Sequence, residues 1–358
     1  MQPDERFMER AIELARRPPF TSPNPRVGTV VVRDGEVIGE GAHLGAGTAH
    51  AEAVALRGID ARGTTVYVSL EPCTHQGRTP PCAPALAEAG VARVVVAIED
   101  PDPRVSGAGT AFLRAAGIEV TTGVMAAEAE RLNRPYLHHR RTGHPFVSLK
   151  LALTLDGRMA AADGSSQWIT GPEARRAVHA RRLEADAVLV GAGTVLADDP
   201  RLTVRDVPAA RQPLRVVVDA AGRIPADASV IAKPGGPAIV ATTASCPERI
   251  KLAWEAAGAE VLLLPAKGAG VDLPYLLEPL GDRDVVEILC EGGPRLAASL
   301  VRAGLVDRYE LHYGPLLVGA GASLDDLGIT TMAEALRVET DEVKRAGDDV
   351  LVTLVRKA

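Results

Sequence analysis

The sequence predicts an α/β protein built as two domains, and three observations carry this. At 358 residues, the chain is longer than one hydrophobic core ordinarily serves. Short β-branched runs alternate with amphipathic stretches from end to end, the pattern of sheets covered by helices. The basic stretch Leu137-His-His-Arg-Arg-Thr-Gly-His-Pro145 falls between two such series and reads as a linker. The expected domains are residues 1–144 and 145–358.

Asp4 to Arg17 places Phe7, Met8, Ala11, Ile12, Leu14 and Ala15 on one helical face. Pro18 to Pro25 is a loop holding Asn24 between two prolines; turn-making and ligand contact both suit such a residue. Val27–Val32 and Glu36–Gly41 flank Asp34-Gly35, a hairpin signal. There follow a helix from His50, strand Thr65–Leu70, a helix opened by Cys82 and stopped by Gly90, and strand Arg93–Ile98. Helix Gly109–Ala116, strand Ile118–Thr121 and helix Met125–Arg140 complete this half. His138, His139 and His144 read as a solvated helix end rather than as ligands.

One constellation in this half carries chemistry. His50-Ala51-Glu52, then Cys73 and Cys82, supply one imidazole and two thiols. Zinc favours these donors, and three protein ligands leave a fourth position for water. Glu52 is near enough to move protons without being a ligand. H-x-E followed by P-C and a second Cys is the signature of zinc deaminases. His50 and Cys82 both open helical runs, where the dipole favours the thiolate that metal binding needs. The other readings are a structural zinc site drawing on His43 or His75, and no metal site at all. The cysteines are eight residues apart in the intervening loop, where the general deaminase pattern has two.

The second half opens with Phe146–Gly157, an apolar strand with Lys150 in its middle and Ser148 and Ala152 on the same face. An edge lysine facing solvent is one reading; a group holding a sugar hydroxyl or phosphate is the other. Ser165 to Pro172, a helix to about Leu183 and strand Asp186–Val190 come next. Gly191 and Gly193 lack the third glycine of a dinucleotide fingerprint, so a Rossmann fold is unsupported. Strands Leu214–Asp219, Ala238–Thr242 and Val261–Leu264 continue the α/β pattern. Val285–Cys290, Glu291-Gly292-Gly293, then a helix beginning with Pro294 form a strand–turn–helix. Its backbone N–H groups suit a phosphate, although a plain tight turn has the same sequence. Asp349–Val355 reads as a closing strand, and Cys246 and Cys290 as buried small hydrophobes.

Glu71-Pro-Cys-Thr-His-Gln-Gly-Arg-Thr-Pro-Pro-Cys82 closely resembles the deaminase half of the bifunctional riboflavin-biosynthesis deaminase–reductases, whose inter-cysteine loop is the longer one. Ser22-Pro-Asn-Pro-Arg-Val-Gly28 and Gly39-Glu-Gly-Ala-His43 are similar to the same family. The blocks of the second half resemble its reductase half, so the likeness covers nearly the whole chain. It implies an N-terminal cytidine-deaminase-like α/β/α domain followed by a dihydrofolate-reductase-like α/β domain. It also implies zinc-dependent removal of the 2-amino group of 2,5-diamino-6-(ribosylamino)pyrimidin-4-one 5′-phosphate, then NADPH-dependent reduction of the ribosyl chain to ribityl. By the same resemblance the nicotinamide nucleotide meets Ala152, Trp168, Thr194, Asp198 and the stretch Gly293, Pro294, Arg295, Leu296, Ala297, Ala298 and Ser299. The ribotide meets Ser166, Arg182, Leu202, Arg205 and Glu291, with Lys150 beside them. Asn24, His43, His75 and Arg78 are the expected contacts in the deaminase pocket. Ala152 stands where glycine is common and Ala220 where a serine can occur; neither change removes a charge.

Composition narrows the partners. A net charge of −6 and 3% aromatic residues argue against a nucleic-acid surface. No apolar run approaches a membrane span, and the first residues lack the marks of a signal peptide. Four cysteines, two of them assigned to zinc, suit a reducing compartment. The expectation is a cytoplasmic homo-oligomeric enzyme acting on a small pyrimidine ribotide. Two rivals stand beside it: a nucleoside or tRNA deaminase, and a lone deaminase whose second half is a silent binding or assembly module. Lys150, Asp198, Arg205 and Glu291 speak against the silent module, which has no need of polar groups around a cleft.

Overall fold

The structure, a computed structural model, describes residues 3–76, 80–232 and 235–357. The chain divides into two compact units, Met1–Gly143 and His144–Ala358. The first contains α1 (Pro3–Arg16), β1 (Gly28–Arg33), β2 (Glu36–Ala42), α2 (Ala51–Ala55), β3 (Thr65–Val68), α3 (Cys82–Glu88), β4 (Arg93–Val96), α4 (Ala108–Ala115), β5 (Glu119–Thr122) and α5 (Ala126–Thr142). Its sheet runs β2-β1-β3-β4-β5. β1 is antiparallel to both neighbours, and the remaining pairs are parallel.

Local chemistry explains much of this unit. The apolar face of α1 is buried along its length. Asp34 and Gly35 take φ of 51° and 80°, the left-handed pair that a two-residue hairpin turn requires. Val31, Val66, Val68, Val94 and Val96 form one core with Ala83, Leu86 and Leu113 of the covering helices. One expectation is corrected here. Leu137–Pro145 is not a linker, because α5 continues to Thr142 and β6 begins at Phe146. His139, Arg140 and Arg141 occupy the last turn, where the dipole favours cations. Gly143, at φ 75°, supplies the left-handed cap. His139 is buried, not solvated.

The second unit contains β6 (Phe146–Thr154), α6 (Pro172–Glu184), β7 (Ala187–Gly191), α7 (Ala192–Asp198), β8 (Leu214–Val218), β9 (Ala238–Thr242), α8 (Glu248–Ala257) and β10 (Glu260–Leu263). A short pair, β11 (Ala266–Lys267) and β12 (Gly270–Val271), precedes α9 (Pro274–Gly281), β13 (Glu287–Cys290), α10 (Pro294–Arg302), β14 (Arg308–Gly314), β15 (Val338–Ala346) and β16 (Asp349–Arg356). Nine strands form one sheet in the order β10-β9-β8-β7-β13-β6-β14-β16-β15. It is parallel from β10 to β14; β16 and β15 add antiparallel at one edge.

β6 therefore lies inside the sheet, between β13 and β14, which rules out the edge-strand reading of Lys150. α7 begins between the two glycines of the incomplete fingerprint, with Gly191 as its extended N-cap. The chain leaves β6, builds β7 to β10 outward on one side, and later places β14 on the other. Open α/β sheets bind ligands at the carboxyl ends of strands beside such a reversal. The ends of β6, β7 and β13 meet there.

Candidate active sites

In the first unit, His50 is the N-cap of α2 and Cys82 the first residue of α3. Cys73 lies in the loop after β3. The three donor atoms lie within 4.8 Å of one another. His50 Nδ1 is 3.2 Å from Cys82 Sγ and 3.6 Å from Cys73 Sγ. Among the described residues this is the one cluster of three such donors. Two thiols and an imidazole at this spacing fit zinc, with a fourth position for a small ligand. The Cys73 thiol is pulled down, first by its hydrogen bond with Cys82 and then by His50, while Cys82 is pushed up by the same pairing and by burial. A divalent cation would take the place of the proton the two sulfurs share.

Close packing sets these ligands. A Cβ on Gly41 of β2 would lie 2.1 Å from Ala51 O, so only glycine lets the strand approach the first turn of α2. A Cβ on Gly109 of α4 would lie 2.0 Å from Pro72 O, beside Cys73. Glu71 is 4% exposed. Its carboxylate accepts backbone N–H bonds from Asp100 at 3.3 Å, Gly107 at 3.0 Å and Thr110 at 3.0 Å. The loop carrying Cys73 is thereby tied to the start of α4, and the Ala83 N–H holds Cys73 O at 3.0 Å. Sequence reasoning missed Glu71. The available signal was a carboxylate two residues before a ligand, at the end of a buried strand.

Glu52 is also buried and makes a side-chain hydrogen bond with Cys82. Burial is the main cause that pushes its carboxyl above the ordinary 4.5. His43 packs edge-on against His50, with ring centroids 5.4 Å apart. His43 Nδ1 lies 3.1 Å from Ala49 O, which can only accept, so the ring proton sits on Nδ1. Nε2 must then accept from Asn24 Nδ2 at 2.9 Å. Asn24 and His43 thus join the zinc donors as one group. His75 is half-buried, and its Nδ1 has no hydrogen-bond partner among the described residues. Arg78 lies outside the described residues.

In the second unit, Ser148, Lys150 and Ala152 pair in register with Arg308, Glu310 and His312 of β14. Beneath them is a buried charged network. Glu287 accepts from Ser148 Oγ at 2.7 Å, Arg181 at 2.7 Å and Arg308 at 3.0 Å. Arg181 Nε also donates to Glu310 at 3.0 Å. Next to it, Arg182 grips Glu291 with Nε at 2.6 Å and Nη2 at 2.9 Å. Its Nη1 donates to Thr203 O at 2.9 Å. Arg182 is 9% exposed, and each of its terminal nitrogens already has a protein partner. Arg205 is exposed. Leu202 is buried, so contact there would come from its backbone.

Thr194 Oγ1 accepts the Gly293 N–H at 3.0 Å, joining α7 to the start of α10. Gly293 caps α10 and Pro294 is its first residue. Proline has no N–H, and Ala297 N–H bonds to Gly293 O, so the first turn offers the N–H groups of Arg295 and Leu296. These donors fit a phosphate of a dinucleotide. The side chains of Leu296, Ala297 and Ala298 are buried in the core, so contact there would come from the backbone. Asp198 is exposed at the end of α7 and Ser166 is half-buried. Trp168 is 65% exposed, with the Arg175 guanidinium 4.5 Å above its ring.

The model of the cytidine and deoxycytidylate deaminase zinc-binding region matches residues 1–98. That of the RibD C-terminal domain matches residues 145–352. The riboflavin biosynthesis protein RibD of Aquifex aeolicus is 43% identical over 356 residues, 99% of this chain and 98% of that protein. The chain belongs to the bifunctional riboflavin-biosynthesis deaminase–reductase family. RibD of Escherichia coli is 44% identical over 372 residues, covering 98% of this chain and 99% of that one. The solved structure of Acinetobacter baumannii RibD superposes with a TM-score of 0.89 at 39% identity, covering 99% of each chain. Like its family, the protein is a deaminase and a reductase, using zinc and NADPH. The match across the second unit sets aside the reading in which that half is silent. No helix among the described residues is long and apolar enough to cross a membrane.

Proposed function

We propose that residues 1–144 remove the 2-amino group of 2,5-diamino-6-(ribosylamino)pyrimidin-4-one 5′-phosphate, and that residues 145–358 reduce the ribosyl chain of the product to ribityl. The observation that carries the first step is a buried Glu52 against a His50–Cys73–Cys82 donor set. His50, Cys73 and Cys82 would hold the zinc, which supplies Lewis-acid activation of the attacking water. Glu52 takes the water's first proton and delivers it to the ring nitrogen beside C2, then takes the proton of the new C2 hydroxyl and passes it to the amino group, which leaves as ammonia as the carbonyl forms. The His43 tautomer turns the Asn24 Oδ1 away from His43, leaving it to accept from a ring N–H or amino group. His75 would add to the pocket's polar rim.

In the second step NADPH supplies the hydride. Thr194, Gly293 and the N–H groups at the start of α10 would hold the nucleotide, with Ala152, Trp168 and Asp198 lining its nicotinamide side. Glu291 is kept ionised by Arg182 despite its burial. Burial lowers the pKa of Lys150, which makes it a readier proton donor to the ribosyl ring oxygen as the sugar opens. Arg205 meets the 5′-phosphate, Ser166 and the Leu202 backbone frame the sugar, and Arg182 acts through Glu291 and Thr203.

The protein is further read as a cytoplasmic homo-oligomer. All four cysteines are free thiols, in keeping with a reducing compartment. β15 is a nine-residue exposed edge strand, and an uncovered edge of that length invites pairing with a second copy. Light scattering on the purified chain tests the assembly. The activities are tested by following ammonia release and NADPH oxidation with the diaminopyrimidinone ribotide. Ammonia followed by NADPH loss, both abolished by Cys73→Ser, is the expected result; NADPH loss surviving in that variant would overturn the order of steps.

A further inference from the structure

His179 lies on α6, one turn before Arg182, and is 6% exposed. Its Nδ1 accepts the backbone N–H of Arg205 at 3.2 Å. A backbone N–H can only donate, so the ring proton belongs on Nε2, which lies 3.6 Å from Asp206 Oδ2. The segment Leu202–Asp206 is an awkward piece of backbone: Leu202 and Asp206 have φ of 54° and 60°, the left-handed region that non-glycine residues avoid. It is gripped at three successive residues. Arg182 takes Thr203 O at 2.9 Å, Gln212 Oε1 takes Val204 N–H at 2.7 Å, and His179 takes Arg205 N–H. The Val204–Arg205 peptide is thus held at both ends, its carbonyl by Gln212 Nε2 at 3.3 Å and its N–H by His179.

We propose that His179 is a positioning residue of the reductase, fixing the Arg205 peptide so that the guanidinium is aimed at the ribotide phosphate. This rests on Arg205 being the phosphate contact. His179 faces Arg182 on its own helix, Arg205 and Asp206 on the loop, and Glu291 after β13. Burial, then the two arginines, lower its pKa from the ordinary 6.5, against the pull of Asp206 and Glu291. The ring is therefore neutral at pH 7 and free to accept. A proton on Nδ1 would set one donor against another and release the loop.

The test uses the full-length enzyme with pre-deaminated ribotide. His179→Phe removes the acceptor and keeps the bulk; His179→Gln retains an acceptor oxygen. The expected result for Phe is a KM for ribotide raised about tenfold, the loss of one net hydrogen bond. Its kcat, KM for NADPH and deaminase rate stay within about twofold of the native enzyme, while Gln restores the KM. With the dephosphorylated riboside the Phe penalty disappears. As pH falls through the lowered pKa of His179 the native KM rises more steeply than that of the Gln variant. Arg205→Ala separates the two readings. If it raises KM and His179→Phe does not, the positioning role is wrong and Arg205 stands. If neither raises KM, Arg205 is not the phosphate contact. If His179→Phe lowers kcat and weakens NADPH together, or misfolds while the Gln variant keeps the native pH profile, the role is structural and the proposal falls.

Discussion

Glu71 offers the sharpest test of how the fold prepares the zinc site. Replacing it with Gln keeps one acceptor oxygen and turns the other into a donor. The amide can orient so that its oxygen still receives the Asp100 and Gly107 N–H groups, which share one carboxylate oxygen. The Thr110 N–H, now bound to the other, is then left facing an NH2. A hydrogen bond to a charged acceptor contributes ~1.5–3 kcal/mol, so Glu71→Gln should cost about 2 kcal/mol in the first unit. Glu71→Ala strands all three donors and should cost about 5 kcal/mol, a large part of a domain's total stability. Because Cys73 follows two residues later, the loop that loses its tie is the one presenting a ligand. Loss of partners behind metal ligands weakens affinity by about 10–100-fold, and Glu71→Gln should weaken zinc binding by that order in competition with a chelator. Ammonia release should fall at limiting zinc, while reductase activity on pre-deaminated substrate serves as an internal control in the same chain. Glu71→Ala binding zinc and deaminating like the native enzyme would refute the reasoning.

Further expectations concern each unit separately. Glu52→Gln should keep its zinc, measured by metal analysis, and lose deamination by roughly 10²–10⁴-fold, with reduction intact; loss of zinc would make Glu52 a ligand. Gly41→Ala drives a Cβ to 2.1 Å from Ala51 O and should cost about 1–3 kcal/mol of overpacking strain, read as a lower melting temperature and weaker zinc binding. The Glu287 carboxyl is pushed up by burial but held down to about 2 by Arg181 and Arg308, from an ordinary 4.5. A lowered acid pKa stabilises the fold fully above the unfolded value and is lost as pH falls through the folded one. Glu287 should therefore contribute about 3 kcal/mol at neutral pH, vanishing between pH 4.5 and about 2. Glu287→Gln should be less stable at pH 7 and flatter across that acid window; a denaturation profile with an unchanged slope there would disprove the contribution.

The features legible in the sequence were those set by short-range spacing. One helical face of α1, the Asp34-Gly35 turn, and the His50–Glu52 spacing each lie within a few residues, where chain geometry alone decides which groups can meet. The zinc donors were legible despite their separation, because few other chemistries call for His and two Cys in that arrangement. Tertiary structure decided who partners whom across long separations. Glu71 finds its three donors 29, 36 and 39 residues later, and backbone donors leave no trace in residue types. Arg182, expected as a ribotide contact, pairs with Glu291, 109 residues away. His179 meets Arg205 only because α6 lies along the Leu202–Asp206 loop. Whether Lys150 sits at an edge or within the sheet depends on β13 and β14, strands more than 130 residues further along. Residue types determined which chemistry the chain can perform, and long-range packing determined which of those residues are held to perform it.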